Sequence, residues 1–494
     1  MAVMINTRRI RLTVMMSAVP LLLSACASVP PPETSAVLAI TEGQWHSELP
    51  QGITVNDAAD LSLWWQRFND PLLNRLVEET LANNPDLEEA RITHRLALLQ
   101  AGVSDSNYLP KAGVSAGVQN SRSDDSDSTS YSVGANASWE LDLWGTGRAA
   151  SRAAEAGVDA AAYSLRDAQV SLIADSASAY ISLREAQANI AAAQANIQLR
   201  QESYDLADVQ YRSGMVTELE VAQAKTLLAQ TQATLPQFQQ ARDLALNQIR
   251  VLIGGERAVT DGSDSVNSEF MTQLQQVAPL PQYERSVTLS LPADTLRQRP
   301  DVRALEFSMI QQAQLLRQAE GQRFPSLTLS GSLASSSANS ADLFSADSVV
   351  RALAASLSYT LFDGGVLKTN ERTQALQLDK SLQSYRAGLL TAQQEVEDAL
   401  SALNAAQQQQ GAYLQAEESA MLAESLARAQ YDAGLLDFDE LLTAQSSLLT
   451  ARNSRIQNEG ALLSDWVQLY RSAGGGLPVS AVNDRVTDSQ DSRP

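Results

Sequence analysis

Tyr211-Arg212-Ser213-Gly214-Met215-Val216-Thr217-Glu218-Leu219-Glu220 returns 220 residues later as Tyr431-Asp432-Ala433-Gly434-Leu435-Leu436-Asp437-Phe438-Asp439-Glu440. Each copy stops one helix and starts another. Gly214 and Gly434 suit the left-handed position just past a helix end. Thr217 to Glu220 and Asp437 to Glu440 read as capping boxes, with Val216 against Val221 and Leu436 against Leu441 as hydrophobic staples. The two stretches predict two helical hairpins with hard tips.

Working outward, the whole chain proves to be a tandem repeat. Asn83-Asn84-Pro85-Asp86-Leu87 matches Gln298-Arg299-Pro300-Asp301-Val302 at a shift of 215, and Trp139, Leu141 and Gly145 match Tyr359, Leu361 and Gly365 at 220. The shift changes inside a Ser/Asp-rich stretch, Gln119 to Ser130 against Ala334 to Asp347, read as loop because loops absorb insertions. From residue 139 to 255 nothing is inserted, so that length is mechanically fixed. Apolar seams at helical spacing run through Val158, Leu165, Leu172, Ala179, Ala186 and Ala193, and in the second repeat from Leu382 through Leu389, Val396 and Leu403. Heptads this long mean coiled-coil packing. The roughly 65 residues from Gly147 to Tyr211 would span on the order of 100 Å. Asp70-Pro71 reads as an N-cap followed by proline at the first helical position.

Two segments per repeat change period to two: about 110–120 and 131–143, then about 325–334 and 351–361. Val114, Val118, Trp139, Leu329 and Leu353 fall on one face and Gly, Ser, Thr and Asn on the other, the pattern of half-buried strands. No stretch after Cys26 is long and apolar enough for a spanning helix, so a membrane crossing would require strands. Four strands cannot close a barrel. Two copies would give eight strands and a nearly filled interior, and three would give twelve and a lumen. Trp139 and Tyr359, near strand ends, would then mark the membrane interface.

The N-terminus reads as an address. Arg8, Arg9 and Arg11 precede an apolar stretch, and Leu23-Ser24-Ala25-Cys26 resembles a bacterial lipobox, with Cys26 the chain's single cysteine. Resemblance to bacterial lipoproteins implies lipidation of Cys26 and, with Ala27 following, sorting to the outer membrane. A formal charge of -21 argues against a nucleic-acid partner. His46 and His94 lie in unrelated segments and no nucleophile elbow occurs, so the chain is not read as an enzyme and no cofactor or metal is expected.

The motif Trp64-Trp65-Gln66-Arg67-Phe68-Asn69-Asp70-Pro71-Leu72-Leu73, the paired Tyr-x-x-Gly turns and the repeat of about 215 residues together resemble the outer membrane factor family. These are the TolC-like channels, and the chain is most similar to their lipoprotein efflux branch of NodT type. The resemblance covers nearly the whole chain. It implies a mainly α fold with membrane β: a homotrimer with a 12-stranded outer-membrane β-barrel, a long periplasmic α-helical barrel and an equatorial belt. It also implies a passive duct for small molecules, fed by an inner-membrane pump of the resistance-nodulation-division type through a periplasmic adaptor. Under it, Tyr211, Arg212, Gly214, Met215, Tyr431, Gly434, Leu435 and Leu436 form the periplasmic tip and adaptor-docking surface. In such channels a Tyr and an Arg of the second hairpin latch the tip. Tyr431 matches the Tyr, but Leu436 stands where some members carry Arg, which points to hydrophobic closure there. Asp437, Asp439 and Glu440 are candidate entrance acids, and for Glu440 capping explains the residue equally well.

The expected organisation is a signal peptide (1–25), a lipidated equatorial segment (26–69), repeat 1 (70–255; hairpin helices 147–211 and 217–253), an equatorial linker (256–298), repeat 2 (299–475; hairpin helices 365–431 and 437–473) and a tail (476–494). Type I protein secretion and a lipid-anchored coiled-coil stalk remain as alternative functions.

Overall fold

Asp70 accepts hydrogen bonds from the backbone N–H of Leu72 and Leu73, so helix α1 (Pro71–Asn83) starts where a side-chain cap and a proline with fixed φ coincide. The computed structural model describes residues 45–55, 61–123, 126–255, 266–283, 287–290, 292–345 and 348–476. Cys26, the leader before it and the tail beyond 476 lie outside the described residues. Asn84 ends α1 and caps α2 (Pro85–Ser106), its oxygen accepting from Leu87 N–H at 3.0 Å.

Each repeat then runs through two strands into a helical hairpin. In repeat 1, β2 (Lys111–Ser123) and β3 (Ser126–Leu141) lead to α3 (Thr146–Arg212) and α4 (Glu218–Leu252). In repeat 2, α7 (Pro300–Gly321) precedes β5 (Ser326–Ser337) and β6 (Val349–Ser358), followed by α8 (Val366–Asp432) and α9 (Phe438–Ser472). The long helices α3 and α8 have 67 residues each, and α4 and α9 have 35 each. Between the repeats lie α5 (Val266–Gln275), β4 (Val287–Leu289) and α6 (Pro292–Gln298). Strand β1 (Ile53–Val55) pairs in parallel with β4, tying the N-terminal segment to this linker.

The other four strands form one antiparallel sheet in the order β2-β3-β5-β6, with β2 and β6 as edges unpaired among the described residues. Its register aligns Val114, Ala135 and Leu333, and likewise Trp139, Leu329 and Ala355, so apolar side chains share one face. Gly113, Asn136 and Ser332 align on the other. The structure corrects two strand limits. The stretch from Gln119 to Ser130 is largely ladder, continuing to the Ser123–Ser126 pair. Polar residues hold it through the Asn120–Thr129 hydrogen bond and the Arg122–Asp127 ion pair. Conversely, β6 stops at Ser358, so Tyr359 and Leu361 lie beyond the ladder. Its partner strand begins only after Pro325, which has no N–H to extend the pairing.

The hairpin helices bury the seams the sequence marks: Leu165, Leu172, Ala179, Ala186 and Ala193 on α3, and Tyr385, Leu389, Val396 and Leu403 on α8. The main core sits beside the repeat joints. There Trp64 stacks on Tyr470 at 4.9 Å, Tyr283 stacks on Trp466 at 4.4 Å, and the Tyr283 and Tyr470 hydroxyls meet at 2.7 Å. Each repeat is also closed on itself. The Asn84 amide donates to Leu252 O at 3.0 Å, and the Arg299 guanidinium donates to Ser472 O at 2.7 Å, in each case the last residue of the repeat's final helix.

Candidate functional site at the hairpin tips and the sheet

Both tips close with the same backbone bonds. Gly214 N–H reaches Tyr211 O and Met215 N–H reaches Gln210 O, while Gly434 and Leu435 reach Tyr431 and Gln430 in the same way. With φ of 77 and 69, the two glycines occupy the left-handed position of a Schellman motif. The capping boxes, however, are not made. Thr217 and Asp437 sit at N-cap positions but neither side chain bonds the first turn. The acids that follow, Glu218 and Glu220 or Asp439 and Glu440, instead favour the helix start through the positive end of its dipole. The helices restart because Gly214 and Gly434 force the turn, and the restart does not depend on side-chain caps.

Among the expected tip residues, Met215 and Leu435 are 69% and 78% exposed, and Tyr211 projects outward with them. Leu436 is half-buried, and Tyr204, Val221 and Tyr431 pack on a small apolar cluster of Ala207, Ala224, Phe438, Leu441 and Leu442 that joins the two hairpins. Arg212 pairs within its own helix with Asp208 at 2.6 Å. Asp437, Asp439 and Glu440 are exposed. Tyr431 differs from its repeat mate Tyr211. Its hydroxyl donates to Gln210 Oε1 at 2.5 Å and its ring packs against Phe438 at 5.3 Å. Burial pushes the Tyr431 hydroxyl above its ordinary pKa, which keeps it a donor. Arg428 reaches across to Glu202 at 3.5 Å while also pairing with Glu424.

At the other end of the long helices, Trp139 and Tyr359 are both exposed, and the Trp139 indole donates to Tyr108 O at 3.0 Å. The neighbouring Trp144 stacks on Phe324 at 4.9 Å and donates to Pro325 O, so it pins the start of β5 to repeat 1. Tyr108, Trp144, Phe324 and Tyr359 line a cavity of about 170 Å³ at the sheet–helix junction. The helices that leave it are capped from upstream: Asp142 accepts from Gly147 and Arg148 N–H, and Asp363 from Gly365 and Leu367 N–H.

Sequence reasoning missed Gln210, the Arg428–Glu202 pair, Trp144 with Phe324, and both upstream caps. The caps had a legible signal, an Asp just before each Gly-marked helix start. Gln210 had none, because only the fold brings it to Tyr431. No described helix is long and apolar enough to cross a membrane.

Comparison with known proteins bears on this arrangement. The sequence model of the family described as "Outer membrane efflux protein" matches residues 76–255 and 291–475, which are the two repeats. The chain is 29% identical to nodulation protein T of Rhizobium leguminosarum bv. viciae over 94% of each chain. It is also 29% identical to the pyoverdine export outer membrane protein OpmQ of Pseudomonas aeruginosa, over 92% of this chain and 95% of that one. The solved outer-membrane channel OprN superposes with a TM-score of 0.79 at 29% identity, covering 88% of this chain and 98% of that one.

Proposed function

The chain belongs to the outer membrane efflux protein family, and from that premise we propose how it works as an exit duct. It is an outer-membrane channel component of an efflux system. The proposed assembly is a homotrimer in which three four-stranded sheets join edge to edge, β6 of one copy to β2 of the next, as a 12-stranded barrel. An unpaired strand edge cannot face lipid, so the open edges demand such partners. The apolar sheet face then meets lipid, the Gly/Ser/Asn face lines water, and Trp139 and Tyr359, with Trp144 and Phe324, sit at the membrane interface.

The observation that carries the assembly is a broken symmetry between the repeats. Helix α7 packs along both α3 and α8, and α9 packs along α3. No comparable packing joins the repeat mates α2 and α4 to α8 among the described residues. As a result α3 buries side chains from Gly147 to Ala207, whereas α8 buries them only from Tyr385 to Ala406. No residue of α7 is exposed, yet α2 exposes Ile92, Leu96, Leu99 and Val103 as one helical stripe. A second copy laying its α2 and α4 on the open flank of α8 would repeat the contacts that α7 and α9 already make. Such head-to-tail contacts close into a ring when the rotation between copies completes a circle, as the shared barrel would require.

In this reading the helical hairpins form the periplasmic duct and their tips the entrance. The exposed Tyr211, Met215 and Leu435 offer the surface for a periplasmic adaptor, and an inner-membrane pump, of the resistance-nodulation-division type, supplies cargo and energy. Cys26 carries the lipid anchor, and metabolic palmitate labelling should mark the wild type and spare Cys26→Ser. The Tyr431–Gln210 bond serves as a latch. Purified protein in planar bilayers should conduct as a trimeric unit, and Tyr431→Phe, which keeps the ring and drops the bond, should raise its conductance. Normal conductance in that variant would leave closure to apolar contact through Leu435 and Leu436, and a protein that never conducts would be a stalk and not a duct.

A further inference from the structure

Arg200 is a cation buried without an acid. It is 2% exposed, and its guanidinium donates to Leu442 O at 3.3 Å, Gln445 Oε1 at 3.0 Å and Ser446 Oγ at 2.7 Å. The Gln445 amide in turn donates to Ser203 Oγ at 3.1 Å. Every bond of the guanidinium crosses from α3 in the first hairpin to α9 in the second. No Asp or Glu among the described residues pairs with it, and desolvation alone pulls its pKa down.

Its place in the seam is distinctive. The main core reaches no nearer the tip than Leu183 on α3 and Leu462 on α9, while the tip has its own apolar cluster around Leu441. Between them buried polar positions, Asn189, Asn196 and Asn458, alternate with Ile190, Ala193 and Ile456, and from Arg200 to the tip cluster the buried positions of α3 and α9 are the polar Arg200, Ser203 and Gln445. Apolar contacts are non-directional and tolerate sliding. A buried guanidinium is held by directed bonds, and pulling it from them leaves a desolvated charge. Nearer the tip, the Arg428–Glu202 pair is exposed and exchanges its partners for water at little cost.

Resting on the channel reading, we propose that the Arg200 layer is the fulcrum of the entrance. At and above it α3 and α9 stay joined, and the two hairpins part only over the about three turns between Arg200 and the tip. The layer thus sets how far the entrance opens, and the Tyr431 latch below it sets whether it opens.

Two cysteine pairs in the full-length protein test this, with potassium chloride conductance in planar bilayers as the readout. Oxidising Glu185→Cys with Gly460→Cys, which face each other across α3 and α9 on the core side of Arg200, should leave the open conductance unchanged. Oxidising Ala207→Cys with Phe438→Cys should abolish it, with recovery on adding reductant. Reversible loss with the upper pair would place the parting above Arg200 and overturn the proposal, and failure of that pair to crosslink would contradict the contact itself. Arg200→Met, which keeps the bulk and drops the bonds, should increase mean conductance by letting the hairpins part higher, and unchanged conductance would count against the fulcrum. A wild type that shows no conductance would overturn the channel reading itself, an outcome distinct from all of these.

Discussion

Gly214 and Gly254 have nearly the same backbone, φ 77 and 78, but different surroundings. A methyl group at 214 would meet nothing within 4 Å, whereas at 254 it would lie 2.4 Å from Asn83 O. Gly214→Ala should therefore cost only the left-handed penalty, about 1–2 kcal/mol. Gly254→Ala should cost clearly more, because backbone must move at the joint that Asn84 closes; equal melting temperatures for the two variants would refute this. Both glycines are legible in the sequence, but the neighbour that makes one of them critical is not, because Asn83 is 171 residues away from it in the chain. Charge at the repeat joint carries a second residue-scale prediction. Burial, reinforced by Asp301, pushes the Asp167 carboxyl above its ordinary pKa despite Arg299 and Arg471 nearby. A raised carboxyl binds its proton more tightly in the folded state, so its contribution is most favourable at acid pH and is lost as pH rises through the folded value. Asp167→Asn should raise the melting temperature near neutral pH and not at a pH below the ordinary Asp range. A variant no more stable than wild type at neutral pH would show that the arginines already compensate the charge.

Elements were legible where period and punctuation agreed. The seams of α3 and α8 and the glycine-closed tips could be read because helix spacing and Gly214 or Gly434 point the same way. The strand ends were not, since β3 runs through Ser126 to Ser130 on cross-strand bonds that no periodicity reveals, and β6 stops where Pro325 ends its partner. Nor could the sequence show how the N-terminal segment lies on α8. There the Glu397 carboxylate accepts from His46 N–H and Ser47 N–H, each at 2.8 Å, and Gln407 bonds Gln51. Burial alone would raise the Glu397 pKa, but the bonds from Ser47 and His46 outweigh it and hold it below the usual glutamate value. A depressed carboxyl stabilises above the unfolded pKa, and that contribution is lost as pH falls through the folded value. Protection factors of the His46 and Ser47 amides, corrected for the intrinsic rate at each pH, should be high near neutral pH and fall as the medium passes below the ordinary Glu range, while in Glu397→Ala they should be low throughout. Protection that is the same at both pH values would mean that β1–β4 pairing, and not Glu397, holds the segment.

At the scale of the whole molecule, the repeat made the architecture legible and left the number of copies to a closure argument from four strands. The structure adds a more local reason for assembly: α8 lacks the neighbours that its repeat mate α3 has within the same chain. If α2 of one copy fills that place, then Leu96 and Leu99, 58% and 63% exposed in the single chain, are interface residues. In an isolated chain, placing aspartates there would remove apolar surface from water and should leave folding intact or improved. In the ring the same carboxylates would be pressed against the apolar flank of α8, where Leu376 and Leu390 are exposed, and a buried unpaired charge costs several kcal/mol. Leu96→Asp combined with Leu99→Asp should therefore keep the helix content of the wild type but shift the mass in mild detergent from three copies to one. In the proposed barrel the strand edges would pull against this separation, so a partly dissociated population rising with dilution also fits. A variant that stays trimeric with wild-type thermal stability would show that α2 faces solvent in the assembly, and that the flank of α8 is covered by something other than a second copy of this chain.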